Sequence, residues 1–212
     1  MRKTILDETQ NKVVYDFGCV GDVGQVEKAG SGIADAVPYY FGFDNNREGI
    51  ALLRAKGYHV SYYDFSGPLD FIPEESAQRM DGVVLMAEII EHLPNPGQAL
   101  MDLRGLARFH PSLLLLITTP NLYSLPMTIG YWLTGKDLDS EEHVMRFSMK
   151  NMKLLLEKSG WRVVEQMFYF HDDHTVCETM DRGTKLYFAA RSAVYRSFPR
   201  GAPGFFTYAR PV

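Results

Sequence analysis

The stretch VVYDFGCVGDVG, Val13 to Gly24, governs how the rest of the chain reads. Val13, Val14 and Tyr15 are β-formers leading into Asp16, and Gly18, Gly21 and Gly24 follow at every third position. A short apolar strand that breaks into a glycine turn and then a helix is a shape for holding a nucleotide-like ligand. Glycine takes φ > 0 without steric cost and lets backbone N–H groups approach a ligand closely. The turn does not spell G-x-G-x-x-G, and it carries no Walker lysine.

On the C-terminal side of this turn, residues 25–37 are small and polar and predict a broken helix containing Gly30 and Gly32. Tyr39 to Phe43 predicts a second strand ending at Asp44. Ile50 and Leu53 lie at helical spacing in a helix from Asn46 to Lys56, with Gly57 as its stop. His59 to Tyr63 predicts a third strand ending at Asp64. Asp81 to Met86 predicts a fourth, entered from a polar loop and left through Ala87 and Glu88. Asn95 and Pro96 read as N-cap and first-turn proline of a helix reaching Phe109. Pro111 to Thr118 is the most apolar strand and so the central one. A helix from Ser148 to Lys158, a strand from Val163 to Phe170, a helix from Thr184 to Phe198 and a strand from Gly204 to Ala209 complete the order. Residues 1–11 are polar and read as a frayed lead-in. Strands alternating with helices argue for an α/β fold, a doubly wound Rossmann-like parallel sheet with helices on both faces.

At 212 residues the chain suits one domain with a full core and is short for two. A net charge of −4 argues against a whole-surface nucleic-acid binder. Cys19 and Cys177 make neither a disulfide framework nor a C-x-x-C pair and read as reduced thiols, Cys19 filling a tight turn. No segment approaches the length of a transmembrane span, and the N-terminus lacks a signal-peptide h-region. The expectation is a single cytoplasmic domain over residues 1–212, its oligomeric state left open.

In such sheets ligands bind outside the carboxyl ends of the strands. Asp16, Asp44, Asp64 and Glu88 fall at or just after four predicted strand ends. A carboxylate after the second strand can accept from both hydroxyls of a ribose, and one after the first can face an ammonium group. Carboxylates beside the glycine turn would repel a pyrophosphate, which favours S-adenosylmethionine over a dinucleotide.

These residues also carry a resemblance. DFGCVG is similar to the D-x-G-C-x-G turn of class I S-adenosylmethionine-dependent methyltransferases, and FGFDNN resembles their second-strand acidic end. DGVVLMAEIIEHLPNP resembles their fourth-strand motif D-x-V-x-x-x-E-V-[IL]-E-H-L-x-x-P, the most specific element, shared with quinone-biosynthesis O-methyltransferases. TTPN and EHVMRFSMKNMKLLLEKSGW extend the match, which runs from about Val13 to Val164. The resemblance implies seven strands with the last antiparallel. It implies that Asp16, Gly18, Cys19 and Gly21 line the methionine end of the cofactor. Asp44 would take the ribose hydroxyls with Asn45 near the adenine, Asp64 and Phe65 would flank the adenine, and Ala87 with Glu88 would close over the methionine side. Val20 departs from the family, which has glycine there.

Methyl transfer from a sulfonium mainly requires alignment, and a general base helps when the acceptor is a hydroxyl. His92, directly after the fourth strand, and His143, beside Arg146 and Phe147, are the candidate catalytic residues, as base or acceptor-orienting groups. For each, packing is the competing role. Glu88, Glu91, His92 and His143 also offer two carboxylates and two imidazoles. Some RNA 2′-O-methyltransferases and quinone O-methyltransferases resemble this block and bind a divalent ion there, and mixed N/O ligation suits Mg²⁺ or Mn²⁺. Glu88 is claimed by the cofactor in the commoner arrangement, so the metal is the less favoured reading.

The insertion at about 121–147 should form the acceptor side. Met127, Tyr131, Trp132 and Leu133 suit a lid over a small-molecule or lipid-like acceptor, a helix packed on the core, or a dimer contact. The tail helix places Lys185, Arg191, Arg196 and Arg200 among aromatic residues, a pattern that suits contact with an anionic membrane, grip on a phosphorylated acceptor or, more often, a core-facing helix with solvated arginines. His171 to Thr175 (HDDHT) reads as a loop. The expected function is methyl transfer, at oxygen. The rivals are a cofactor-binding protein without transferase activity, an RNA 2′-O-methyltransferase with a divalent metal, and a nicotinamide-dependent oxidoreductase, the last disfavoured by the glycine pattern.

Overall fold

The computed structural model describes residues 2–20, 31–136, 140–169 and 192–212. Its sheet is built around strand β1 (Val13–Phe17), in which every residue is buried. Chain order places α1 (Arg2–Thr9) before it, and then α2 (Ser31–Ala34), β2 (Tyr39–Asp44), α3 (Arg47–Ala55), β3 (Val60–Tyr62) and α4 (Glu75–Gln78) after it. There follow β4 (Gly82–Ala87), α5 (Pro96–Arg104), β5 (Leu114–Pro120), α6 (Leu125–Thr134), α7 (Met149–Lys158), β6 (Trp161–Tyr169) and β7 (Gly204–Pro211).

The seven strands form one sheet in the order β3-β2-β1-β4-β5-β7-β6. The first five are mutually parallel, and β7 runs antiparallel to both β5 and β6. Chain order reverses between β1 and β4, which makes the gap beyond their carboxyl ends the switch point of the sheet. This is the doubly wound architecture the alternation predicts, with the antiparallel strand the resemblance implies.

Side-chain alternation along β1 assigns the two faces. Val13, Tyr15 and Phe17 pack with Ala99, Leu100 and Leu103 of α5 and Met152 and Leu156 of α7. Val14 packs on the opposite face with Ile50 and Leu53 of α3. Both faces of the central strands are covered, so they are apolar throughout rather than alternating. Trp161 is fully buried, and its indole N–H donates to the Leu100 carbonyl at 2.9 Å, sewing β6 to α5.

Several elements differ from the expectation. Residues expected to fray form α1, because Ile5 docks against Val83, Leu85, Leu114 and Leu116 and the Thr9 hydroxyl donates to the Ile5 carbonyl at 3.0 Å. One well-placed anchor outweighs polar composition there. β5 starts at Leu114 rather than Pro111, after a turn in which Leu113 N–H donates to His110 O at 2.9 Å. The helix after Asn95 ends at Arg104 and tightens to a 3-10 turn over Gly105–Arg108. Asn46, Asn95 and Ser148 cap α3, α5 and α7 through their side chains. Residues 25–30 of the stretch expected as a broken helix, and residues 184–191 of the expected tail helix, lie outside the described residues; α2 falls within the former stretch, and residues 192–197 are helical. Among the described residues no helix is long and apolar enough to cross a membrane.

Candidate active site

The strand register brings the acidic candidates to one edge. Phe17 pairs with Phe43 on one side and Met86 on the other, Asp44 pairs with Tyr62, and Ala87 pairs with Thr118. The carboxyl ends of β1 to β5 are therefore level. Asp16, Asp44, Ala87 and Glu88 sit on that rim, and Asp64 and Phe65 follow β3 immediately.

Asp16 is 8% exposed, and the Tyr40 hydroxyl donates to its Oδ2 at 2.7 Å. Burial pushes its carboxyl up to about 7; the Tyr40 hydrogen bond pulls it down and the Asp44 charge pushes it up further. Asp44 accepts the Val20 N–H at Oδ2 and the Asn46 N–H at Oδ1, both at 2.9 Å. Gly18 N–H and Cys19 N–H donate to Phe43 O at 2.8 and 3.3 Å, so the glycine turn folds onto the end of β2. Gly18 has φ +81°, and a side chain there would collide with Ile89. Glycine is required at this position on both counts.

Cys19 is buried against Gly42, where a Cβ would lie 2.7 Å from its sulfur, and burial pushes its thiol up. It fills the turn as a small residue. Val20 is fully buried and packs on Gly49 of α3, which explains how the turn accommodates a branched residue there. Asn45 is exposed beside Asp44. Gly21 lies outside the described residues, as do Cys177, Lys185, Arg191 and residues 171–175.

Asp64 is exposed and accepts from Ser66 N–H and Oγ at 3.0 and 2.6 Å and from the Tyr62 hydroxyl at 2.8 Å. The Ser66 hydrogen bonds, with that of Tyr62, hold its carboxyl down at about 2. Phe65 has φ +58° and packs on Phe17 and Tyr63, with ring centroids 5.5 and 4.7 Å away. Glu88 has φ +56°, donates its N–H to Thr118 O at 3.0 Å and accepts the Tyr169 hydroxyl at Oε1, 2.7 Å away. Left-handed backbone at non-glycine residues is uncommon and concentrates at binding sites. Two of the three such residues described fall on this rim.

A second cluster follows β4 (Ile90–His92 form a 3-10 turn). Glu91 is 1% exposed and accepts the Thr119 hydroxyl at 3.1 Å. The His92 and His143 rings meet edge to face with centroids 4.8 Å apart. His92 Nδ1 lies 3.2 Å from the Glu142 carbonyl, which only accepts, so Nδ1 is the donor in this contact. Val144 and Met145 N–H both donate to Glu91 O, at 2.9 and 3.1 Å, which ties the insertion to this turn. One ligand atom from each of Glu91, His92 and His143 falls within 4.8 Å of the others, a grouping that can hold a cation. Glu88 is outside that group.

The insertion closes on itself: Asn121 bridges Phe147, and Leu122 N–H donates to Phe147 O at 2.8 Å. Within it, α6 contains no buried residue, so it is not packed on the core, and Trp132 and Leu133 are 83% and 80% exposed. A small cleft of about 10 Å³, room for about one water, reaches Glu91, Thr119, His143 and Arg146. A wider one of about 220 Å³ adjoins it, between Leu122, Met127, Tyr131, Trp132 and Arg146. Sequence reasoning missed Tyr40 and Tyr169, whose pairing with Asp16 and Glu88 depends on which strands become neighbours.

No protein-family model matches the chain, and no curated protein matches it. Solved structures do. A chain of the complex between the Haloferax volcanii Trm112 methyltransferase activator and a methyltransferase superposes with a TM-score of 0.63 at 18% identity, over 99% of this chain and 87% of that one. The fold is that of S-adenosylmethionine-dependent methyltransferases. Magnesium protoporphyrin IX methyltransferase from Synechocystis, solved with bound S-adenosylhomocysteine, has a TM-score of 0.59 at 12% identity, over 100% and 82% of the two chains. The small RNA methyltransferase HEN1 has 0.58 at 19% identity, over 99% of this chain and 24% of its own.

Proposed function

We propose that this chain is an enzyme that transfers a methyl group from S-adenosylmethionine to a hydroxyl of a small-molecule or lipid-like acceptor. The observation that carries the reading is the row of carboxylates on the level strand ends of this fold, beside a glycine turn folded toward them. The residues fit the cofactor. A carboxylate has about four acceptor directions, so Asp44 keeps capacity for ribose hydroxyls after two backbone N–H bonds. Asp16, poised near neutrality by burial, ionises when a cation approaches. Asp64 and Phe65 offer a polar and an aromatic wall for the adenine, and Ala87 and Glu88 close the methionine side.

When bound, S-adenosylmethionine supplies an electrophilic methyl group. The chain's own part is to orient and deprotonate. His92, with Nδ1 held on the Glu142 carbonyl, presents Nε2 as base toward an acceptor hydroxyl, and His143 packs against it. The insertion at 121–147 forms the acceptor side through the two adjoining clefts. A thermal-shift comparison tests the cofactor: S-adenosylhomocysteine should raise Tm and NAD should not. Tight binding without turnover on any acceptor would favour a cofactor-binding protein instead.

The grouping of Glu91, His92 and His143 supports a second reading, a divalent ion that helps ionise the acceptor hydroxyl, as in an RNA 2′-O-methyltransferase. Titrating metal-free protein with Mn²⁺ separates the two. Activity unchanged by chelation removes the metal.

A further inference from the structure

The ten residues of α6, LPMTIGYWLT, include no charged side chain and no buried one, and the last four are all exposed. A helix apolar on every side ordinarily lies in a core or in lipid; α6 projects from the body instead. Leu125, Ile129 and Leu133 recur at every fourth position, with Trp132 one residue before the last, so they share one flank. At the root of that flank, Leu125 and Phe198 close over the same glycine, Gly201. Asn121 Nδ2 donates to Arg200 O and Ala202 O, both at 2.9 Å, which ties the start of the insertion to this turn. Val194 lies one helical turn before Phe198, whose N–H donates to Val194 O at 2.8 Å, and both side chains are exposed. The apolar strip therefore runs from Val194 and Phe198 out along α6 to Trp132 and Leu133.

The strip has a basic border. Arg196 and Arg200 bracket Phe198 in the chain, both are exposed, and neither side chain forms an ion pair among the described residues. Glu141 and Glu142, acidic residues of the insertion, lie at its other end, where the Glu142 carbonyl meets His92. We propose that α6 and the segment from Val194 to Arg200 form one docking surface for the headgroup boundary of an anionic bilayer. The apolar strip enters the acyl edge, and the long arginine side chains keep their charge among the headgroups. Tyr131 and Trp132 suit that boundary, having an apolar body and a polar edge. Ten residues are too few to span a bilayer, so α6 rests in its surface. A two-fold contact with a second copy would instead bring a like-charged border onto itself. This docking goes beyond the methyltransferase reading and does not depend on it.

Trp132 reports on the surface directly, because the other tryptophan, Trp161, is fully buried. The full chain is sedimented with vesicles of phosphatidylcholine alone and of equimolar phosphatidylcholine and phosphatidylglycerol, and brominated lipid is used to quench tryptophan emission. The wild type should favour the anionic vesicles and be quenched there, whereas Trp132→Phe should lose the quenching. Ile129→Ser combined with Leu133→Ser should weaken vesicle binding about tenfold or more. Arg196→Gln combined with Arg200→Gln should weaken binding to the anionic vesicles about tenfold or more and leave the neutral ones unchanged. Absence of wild-type binding, equal binding to both vesicles, no quenching of Trp132, or binding that survives the serine pair overturns the proposal. So does a dimer in sedimentation equilibrium that the serine pair dissociates without any vesicle binding, which would assign the surface to a second copy. S-adenosylhomocysteine binding is measured on the same samples: its retention shows that the variants are folded, and its absence from the wild type would sink the methyltransferase reading alone.

Discussion

Asp16 is the residue on which electrostatics act most visibly. Its folded-state pKa, about 7, lies above the ordinary 3.8, so the folded protein holds this proton more tightly than the unfolded chain. The contribution of Asp16 to stability is then fully present below about pH 4 and is lost as pH rises toward 7, by a ceiling of about 4 kcal/mol. Asp16→Asn should match the wild type at pH 4 and exceed it in urea midpoint at pH 7.5; a pH-independent difference would contradict this. Binding a cation beside Asp16 pulls the carboxyl down and expels its proton. Calorimetry near pH 6 in buffers of different ionisation enthalpy should therefore report proton release with S-adenosylmethionine. Gly18 answers to geometry instead: Gly18→Ala meets both a left-handed backbone and Ile89, for about 2 kcal/mol or more, and the double variant with Ile89→Ala should recover the steric part but not the backbone part. Glycine and acid positions were legible in the sequence because their chemistry is local. The hydroxyls of Tyr40 and Tyr169 were not, since each reaches its carboxylate across strands far apart in the chain.

Among the elements, the insertion carries the sharpest expectations. Its backbone is tied to Glu91 through Val144 and Met145, which holds His143 against His92. His92→Ala should lower kcat about a hundredfold while leaving S-adenosylhomocysteine affinity intact; loss of that affinity would mean a packing role. Trp132→Ala on exposed α6 should change stability by less than about 0.5 kcal/mol yet raise acceptor KM. Strands and capped helices were readable because their signals, apolar runs and Asn or Ser caps, lie within the segment itself. α1 was not, because what makes it a helix is the docking of Ile5 onto strands more than seventy residues away. The helix of the 121–147 insertion read equally as a lid or as a core-packed or dimer-contact helix, and the lack of any buried residue in α6 argues against the core-packed option.

At the scale of the molecule, one sheet order does the functional work. Crossing from β1 to β2 and β3 on one side and to β4 and β5 on the other leaves a single edge where level strand ends gather the acids. Trp161 ties the far side of that sheet to α5, and Trp161→Phe should lower stability by about 1–3 kcal/mol through the lost indole donor and volume, without altering ligand affinity. The most direct measurement is a calorimetric titration with S-adenosylmethionine of the wild type and of Asp44→Asn, a near-isosteric variant that removes the charge and turns one of the two acceptor oxygens into an amide donor. The account predicts one site per chain, weakened about tenfold or more by the substitution. No heat from the wild type, or identical affinity in both proteins, would contradict it.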